Sequence, residues 1–171
     1  MKINTKSTLT AAMLTALAVS LSTFAIPIGA SKCFPIQHLC NVIAGVFLGP
    51  GYGVAMAFCT SLIRNLIGTG SPLAFPGSMV GAFLCGFLYQ HTGKLVAAYF
   101  GEVFGTGIIG GLLCYPVATL LMGQEAALFA YVIPFLISTA GGTVMAMILV
   151  GALYQSGAMS YLKGVLGGTA R

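Results

Sequence analysis

Apolar residues along this chain are gathered into six long runs, separated by short turns rich in glycine, proline and polar residues. A transmembrane α-helix needs about 20 mostly apolar residues, with a range of about 17 to 25. The second and third runs are short for a crossing and would need tilt, polar extensions or partial re-entry. The pattern predicts an all-α membrane protein with six transmembrane helices. The runs cover about residues 8–28, 36–48, 52–67, 73–89, 95–121 and 127–154.

Polar residues, glycines and prolines interrupt the apolar pattern in LIRNLIGTGSPLAFPGSM, residues 62–79. Gly68 and Gly70 are expected to end the third helix and Pro72 to start the next element, because glycine and proline interrupt helices. The stretch LGPGYG, residues 48–53, predicts a turn between the second and third helices.

Charged residues are rare in this chain. They make up 5% of its 171 residues, and 58% are hydrophobic, whereas a soluble domain carries about 25% charged residues. A soluble protein with so few charged residues could not cover its surface with polar groups. We therefore expect the chain to lie in a lipid bilayer. At this length we expect one membrane domain over residues 1–171, with no room for a sizeable soluble domain.

The basic residues predict the orientation, because cytoplasmic loops carry an excess of lysine and arginine. With the N-terminus inside, five basic residues of the loops and tails fall in the cytoplasm, and Lys32 alone falls in an outer loop. Both termini of a multi-pass cell-membrane protein are therefore predicted to be cytoplasmic. The basic residues form no run or stripe, which argues against a nucleic-acid partner. The predicted cytoplasmic set is Lys2, Lys6, Lys94, Lys163 and Arg171.

The first 30 residues also resemble a signal peptide, with Lys2 and Lys6 as a basic start and IGA before Ser31 as a cleavage-like site. The apolar run of about 20 residues is longer than a usual signal core, and further runs follow it. We therefore favour an uncleaved first helix over a removed signal peptide.

Motifs for catalysis, metals and cofactors are missing from the sequence. The five cysteines form no C-x-x-C pair, so no metal site is predicted. GTGIIG, residues 105–110, matches G-x-G-x-x-G, but it lies inside an apolar run rather than after a strand. The sequence has no Walker motif and no G-x-S-x-G frame. We therefore predict neither an enzyme nor a cofactor, and no ATP hydrolysis by this chain itself.

Two charged residues, Arg64 and Glu102, fall inside predicted spans. A charge at membrane depth costs about 2.5 to 3.5 kcal/mol on insertion scales and usually faces a cavity or a partner. Counting about 1.5 Å of rise per residue, the two positions differ in depth by about 6 Å, which an arginine side chain can bridge. An ion pair between the third and fifth helices is therefore predicted. It would be either a structural clamp or part of a ligand pocket.

Further polar residues cluster toward the predicted outer side. Gln37, His38 and Asn41 lie near the outer end of the second helix, and Thr106 lies one turn above Glu102. They predict a pocket that opens outward and holds a small, mostly apolar ligand with a few hydrogen-bonding atoms. Two charges of opposite sign would suit a neutral ligand. Aromatic residues such as Phe75 would form either an interface belt or a stacking wall.

Three stretches carry a resemblance to a known family: PIQHLCNVIAGVFLGPGYGVAMAF, LIRNLIGTGSPLAFPGSMVGAFLCGFLY and GEVFGTGIIGGLLCYPVA. The chain resembles the S components, the substrate-capture subunits of energy-coupling factor (ECF) vitamin transporters, and most closely the ThiW family. The resemblance covers most of the chain. It implies a six-helix membrane protein that binds its ligand from outside, with hydroxyethylthiazole, a thiamine precursor, as the expected ligand.

The resemblance also implies partners, namely a coupling membrane protein and two ATPase subunits. Ala12 and Ala16 match an A-x-x-x-A pattern with which the first helix of S components docks on the coupling protein. The loop GASKCFP, with Lys32, would close the pocket. The substrate could instead be another small vitamin or precursor, and a ligand-free structural subunit is the other alternative.

The expected ligand has an aromatic ring, a ring nitrogen and a hydroxyl group. An aromatic side chain would stack on the ring, side-chain donors would reach the ring nitrogen, and Glu102 or Asn41 would accept from the hydroxyl. The predicted donors are Arg64, Gln37, His38 and Asn65.

Overall fold

The computed structural model describes residues 4–28, 31–125 and 127–166, which form a bundle of helices with one short hairpin. Lys2, Arg171 and the first two residues of the predicted loop GASKCFP lie outside the described residues. Seven helices and two strands are seen in this part of the chain. They are α1 (Thr5–Ser20), β1 (Ile26–Ile28), β2 (Ser31–Cys33), α2 (Pro35–Leu48), α3 (Pro50–Leu66), α4 (Ala74–Thr92), α5 (Leu95–Leu121), α6 (Val132–Gln155) and α7 (Ala158–Val165).

Each predicted apolar run contains one long helix, but two boundaries differ. The first helix ends at Ser20 and a 3₁₀ turn ends at Thr23, so the predicted helix to residue 28 is wrong at its end. There Pro27 favours extended backbone, and β1 pairs with β2 in antiparallel register, Ile26 opposite Cys33. The sixth helix begins at Val132 rather than at residue 127, because a turn precedes it.

Glycines allow α5 to approach both α4 and α6. A Cβ atom on Gly105 would lie 2.9 Å from the Gly81 Cα atom on α4. A Cβ atom on Gly111 would lie 2.9 Å from the Val132 Cα atom on α6. Gly105 and Gly111 therefore serve close helix packing within this chain.

The middle of α5 widens into π-helical turns over Val103–Gly110 and again over Val117–Leu121. Such turns are rare and occur often at functional sites. Glu102 is the last residue before the first widened segment, and its side chain faces the interior. The chance match GTGIIG, which is not predicted to be a nucleotide motif, lies wholly within this helical segment, as expected from its apolar context.

The surface of the bundle is largely apolar. Among the described residues, α5 and α6 are long and apolar enough to cross a membrane, and α2 is a shorter apolar helix. Leu120 is 82% exposed and Ile148 is 70% exposed, as expected for side chains that face lipid.

The two ends of the bundle differ. One end carries the hairpin and the turns after α3 and α5. At the other end, the Asn4 side chain donates to the Leu166 carbonyl oxygen at 3.0 Å, and the Tyr52 hydroxyl accepts from the Asn4 backbone N–H at 2.9 Å. The first and last described residues therefore meet at the end away from the hairpin. There α7, which the hydropathy pattern did not predict, anchors Lys163 on the Tyr89 hydroxyl at 2.6 Å.

Candidate ligand-binding site

A cavity of about 310 Å³ lies at the hairpin end of the bundle. Its walls come from β2, α2, the α3–α4 turn, the end of α5 and the start of α6. The size is at the lower end of small-molecule sites, which span about 300 to 1,000 Å³, so it suits a small ligand. The lining residues are Lys32, Phe34, Gln37, His38, Arg64, Gly68, Thr69, Gly70, Ser71, Leu73, Ala74, Ser78, Met122, Gln124, Tyr131, Phe135 and Ser138.

Arg64 forms one wall of the cavity although it is only 1% exposed. Its Nη1 donates to the Gln37 side-chain oxygen, and its Nη2 donates to the Thr69 carbonyl oxygen at 3.4 Å. The guanidinium carbon lies 3.6 Å from the centre of the Phe34 ring, which adds a cation–π contact. The Nε–H group has no partner among the described residues. It is therefore a buried donor without a protein acceptor.

The backbone after α3 folds back to hold this arginine. Gly68 has φ +77°, a left-handed conformation that glycine adopts at little cost. The N–H groups of Thr69 and Gly70 both donate to the Arg64 carbonyl oxygen at 2.9 Å. The Asn65 side chain donates to the carbonyl oxygens of Ser61 at 2.8 Å and Ser71 at 3.0 Å. Asn65 therefore supports the turn and does not line the cavity.

His38 and Glu102 form a buried hydrogen-bonded pair at the site. His38 Nδ1 lies 2.9 Å from Glu102 Oε1, and the His38 ring reaches the cavity wall. The Glu102 side chain is fully buried. Its Oε1 also accepts from Asn41 Nδ2 at 3.0 Å and from Thr106 Oγ1 at 3.2 Å. Its Oε2 has no partner among the described residues.

The predicted ion pair between Arg64 and Glu102 is wrong. Glu102 pairs with His38, and Arg64 is held by Gln37 and Phe34. Depth along the membrane allowed the pair, but α2 and α4 lie between α3 and α5 and each touches both helices. The side chains of α2 therefore meet each charge first.

A serine and amide cluster connects the two charged groups. Gln37 Nε2 donates to Ser78 Oγ at 2.8 Å and to Ser61 Oγ at 3.3 Å. Asn41 Nδ2 donates to Ser78 Oγ at 3.2 Å. Ser78 lines the cavity, although the sequence does not mark it as a site residue, because single serines are common in apolar helices. Its place near the start of α4, close to the polar turn after α3, was the available signal.

The predicted site residues separate into three groups. Gln37, His38 and Arg64 line the cavity. Asn41, Glu102 and Thr106 are fully buried outside its lining. Phe75 does not line the cavity and packs against Phe58, with ring centres 5.6 Å apart. The aromatic rings at the cavity are instead Phe34, Tyr131 and Phe135.

The charge balance of the cavity also differs from the expectation. Lys32 and Arg64 line it, and no carboxylate does so, because Glu102 lies behind His38. The expected pair of opposite charges in contact with the ligand is therefore not present.

The predicted docking residues Ala12 and Ala16 are exposed on α1. The opposite face of this helix is buried against the bundle through Ser7, Ala11, Thr15 and Ala18. Leu9 and Met13 extend the exposed face and are 62% and 65% exposed. The docking role of this face remains a prediction.

Comparisons with known proteins identify the chain's relatives. A solved structure of the S component of a bacterial ECF transporter matches with a TM-score of 0.73 and 21% sequence identity, over 88% of this chain and 96% of that chain. This likeness shows a shared fold. No curated protein matches the chain. The family described as thiamine-precursor transporter protein (ThiW) matches residues 8–156, which confirms the resemblance seen in the sequence. The chain thus belongs to the ThiW family of thiamine-precursor transporters, whose members are transporter proteins and not enzymes.

Proposed function

We propose that this protein is the substrate-capture subunit of an ECF-type importer and that it binds hydroxyethylthiazole from outside the cell. The observation that carries the proposal is the cavity between the hairpin, α2, α3 and α6. It combines aromatic rings, the buried Arg64 and His38 in a chain of the ThiW family. A ligand-free structural subunit would have no need of a cavity lined by polar and charged side chains such as Arg64 and His38.

The cavity suits an aromatic alcohol of this size. Phe34, Tyr131 and Phe135 supply ring faces, on which a thiazole can stack. The Arg64 guanidinium at the cavity wall can donate to the ring nitrogen. The Gln37 amide is already occupied by Arg64 and Ser78, so it orients the arginine rather than the ligand.

In this proposal the chain forms one membrane domain with six transmembrane helices and both termini in the cytoplasm. The contact between Asn4 and Leu166 at one end of the bundle supports this arrangement, because an even number of crossings returns the chain to its starting side. The cavity then opens at the opposite, outer end.

The proposed partners are a coupling membrane protein and two ATPase subunits. The exposed small-residue face of α1 around Ala12 and Ala16 fits close helix packing against a coupling protein. Uptake in cells with and without the ATPase module tests this part. Strong energised uptake by this chain alone would contradict it.

Titration of the purified protein with hydroxyethylthiazole tests the ligand. The wild type is expected to bind one molecule per chain, and Arg64→Ala to bind at least about tenfold more weakly, because hydrogen bonds to charged groups contribute about 1.5 to 3 kcal/mol. Lys94→Ala, which removes an exposed cation from the α4–α5 turn, should bind like the wild type. Equal affinity of all three proteins would contradict the placement of the site.

A second candidate ligand is an anionic derivative such as the phosphate ester of the same alcohol. Lys32 and Arg64 at a cavity without a carboxylate favour it. The same titration decides between them: tighter binding of the ester than of the alcohol would move the substrate assignment to the ester.

A further inference from the structure

We propose that His38 recognises the hydroxyl group of the ligand by accepting a hydrogen bond from it at Nε2, and that Glu102 holds His38 in the tautomer that can do so. Glu102 then acts as a positioning residue without touching the ligand. The inference rests on the proposed function for the identity of the ligand. It replaces the expectation that Glu102 or Asn41 accepts from the hydroxyl, since neither residue lines the cavity.

The hydrogen bond between His38 and Glu102 selects one tautomer. A neutral imidazole carries its proton on one nitrogen, and the other nitrogen is an acceptor. Glu102 Oε1 lies 2.9 Å from Nδ1, and a carboxylate accepts but does not donate. In the neutral ring the proton therefore sits on Nδ1, and Nε2 is left with a free lone pair. Among the described residues, no group forms a hydrogen bond with Nε2.

The packing around the pair holds the ring in place. A Cβ atom on Gly142 of α6 would lie 2.6 Å from the His38 Cβ atom, so the helix backbone closes one side of the residue. Behind the ring, Asn41 and Thr106 donate to the Glu102 oxygen that His38 also uses. The carboxylate is thereby fixed from two other directions, and the imidazole keeps its position against it.

The two ends of the ligand would then be recognised by different groups. Arg64 can only donate, so it suits the ring nitrogen. His38 Nε2 can only accept, so it suits the hydroxyl proton. A thiazole that carries an ethyl group in place of the hydroxyethyl group should therefore keep the Arg64 contact and lose the His38 contact.

Nitrogen NMR of the histidine ring tests the tautomer before any ligand is added. The chain has two histidines, so ¹⁵N-histidine labelling of the exposed-site variant His91→Gln leaves the signals of His38 alone. We expect a protonated Nδ1 and an unprotonated Nε2. We also expect hydroxyethylthiazole to shift the Nε2 signal and the ethyl analogue to leave it in place. A doubly protonated ring, or a proton on Nε2, would overturn the inference.

The ratio of the two affinities gives a second test that does not depend on protein yield or stability. Wild-type protein should bind the alcohol about tenfold more tightly than the ethyl analogue, the effect of one net hydrogen bond near the upper end of its usual range. His38→Phe keeps a planar ring without an acceptor and should bring the ratio to about one. Unchanged preference in His38→Phe would refute the role of Nε2.

Variants at Glu102 test whether this residue positions His38 or contacts the ligand itself. In Glu102→Gln the amide oxygen can still accept from Nδ1, Asn41 and Thr106, and the amide nitrogen takes the place of the unpartnered Oε2, so the preference should largely remain. Glu102→Ala removes the acceptor and should abolish the preference. Glu125→Gln, at the other acidic residue of the chain, is the matched control and should behave like the wild type. Full preference in a folded Glu102→Ala protein would show that Glu102 does not position His38.

The inference and the proposed function fail in different ways. Wild-type protein that binds neither thiazole would contradict the proposed ligand. Wild-type protein that binds both thiazoles equally would contradict the role of His38 alone.

Discussion

Arg64 and Asn65 are neighbours in the sequence with different tasks. Arg64 points to the cavity and is held by Gln37 and Phe34, whereas Asn65 binds two backbone carbonyl groups of its own turn. Both are polar residues at the end of an apolar helix, so the sequence alone does not distinguish their roles. The side-chain directions in the structure do, because Arg64 faces the cavity and Asn65 faces its own turn.

The shape of the arginine head group is expected to matter as well as its charge. Lysine at position 64 would keep a positive charge but lose the planar fork that bridges Gln37 and the Thr69 carbonyl oxygen. We predict that Arg64→Lys weakens hydroxyethylthiazole binding by about tenfold, measured by titration calorimetry. Wild-type affinity in this variant would show that a point charge is sufficient at position 64.

The sequence identified part of the polar wall of the site but not how its residues pair. Gln37, His38 and Arg64 were predicted and line the cavity, and Glu102 was predicted and is buried. Its partner was predicted wrongly, because span boundaries give depth but not which helices lie side by side. Ser78, Ser138 and Phe34 were missed, since single serines and phenylalanines are common in apolar helices.

At the scale of the elements, close approach of α4 and α5 brings Glu102 to the centre of the bundle. A Cβ atom on Gly81 would collide with the Thr106 hydroxyl and lie 2.9 Å from Glu102 Oε2. The absence of a side chain at Gly81 therefore makes room for the carboxylate that supports His38.

Alanine at position 81 should disturb both stability and binding. We predict that Gly81→Ala lowers the free energy of unfolding by about 1 to 3 kcal/mol, as overpacking does, and weakens ligand binding. The measurement is thermal unfolding in detergent with and without ligand.

Gly151→Ala on α6 is the matched control for that experiment. A Cβ atom at Gly151 meets no atom within 4 Å, and alanine favours helix by up to about 1 kcal/mol over glycine. This variant should be as stable as the wild type or slightly more stable. Equal destabilisation by both substitutions would contradict the packing argument.

The exposed face of α1 leads to a separate prediction about assembly with the coupling protein. Leucine at Ala12 and Ala16 would hold a partner helix away, since close packing needs small residues. The double variant Ala12→Leu, Ala16→Leu is expected to lose copurification with the coupling protein and to keep ligand affinity. Ala140→Leu, at an exposed alanine of α6, should copurify normally. Retained copurification of the double variant would place the interface elsewhere.

Hydropathy predicted the long helices because apolar length is a strong signal in a chain with few charges. It missed the hairpin, whose strands have three residues each, and α7, which has eight residues. Elements this short do not produce a run of helix length. Glycine and proline marked the turns correctly, as at Gly68.

At the scale of the whole molecule, the cavity and the meeting point of Asn4 with Leu166 lie at opposite ends of the bundle. This polarity suits a protein that takes its ligand on one side of a membrane and keeps both termini on the other side. The positive residues of the sequence predict the same orientation.

Cysteine labelling in intact cells tests the orientation. In a cysteine-free background, Glu125→Cys in the α5–α6 connection should react with a membrane-impermeant thiol reagent from outside. Lys94→Cys in the α4–α5 turn should react only after the cells are permeabilised. Both positions are exposed in the structure, so a reversed pattern would contradict the proposed topology rather than report burial.

The most direct test of the central claim is mass spectrometry of the small molecule that copurifies with the protein from its membrane. The account predicts hydroxyethylthiazole at about one molecule per chain in wild-type protein, and its loss from Arg64→Ala protein prepared in parallel. A stoichiometric compound without a thiazole ring, retained by both proteins, would contradict the claim.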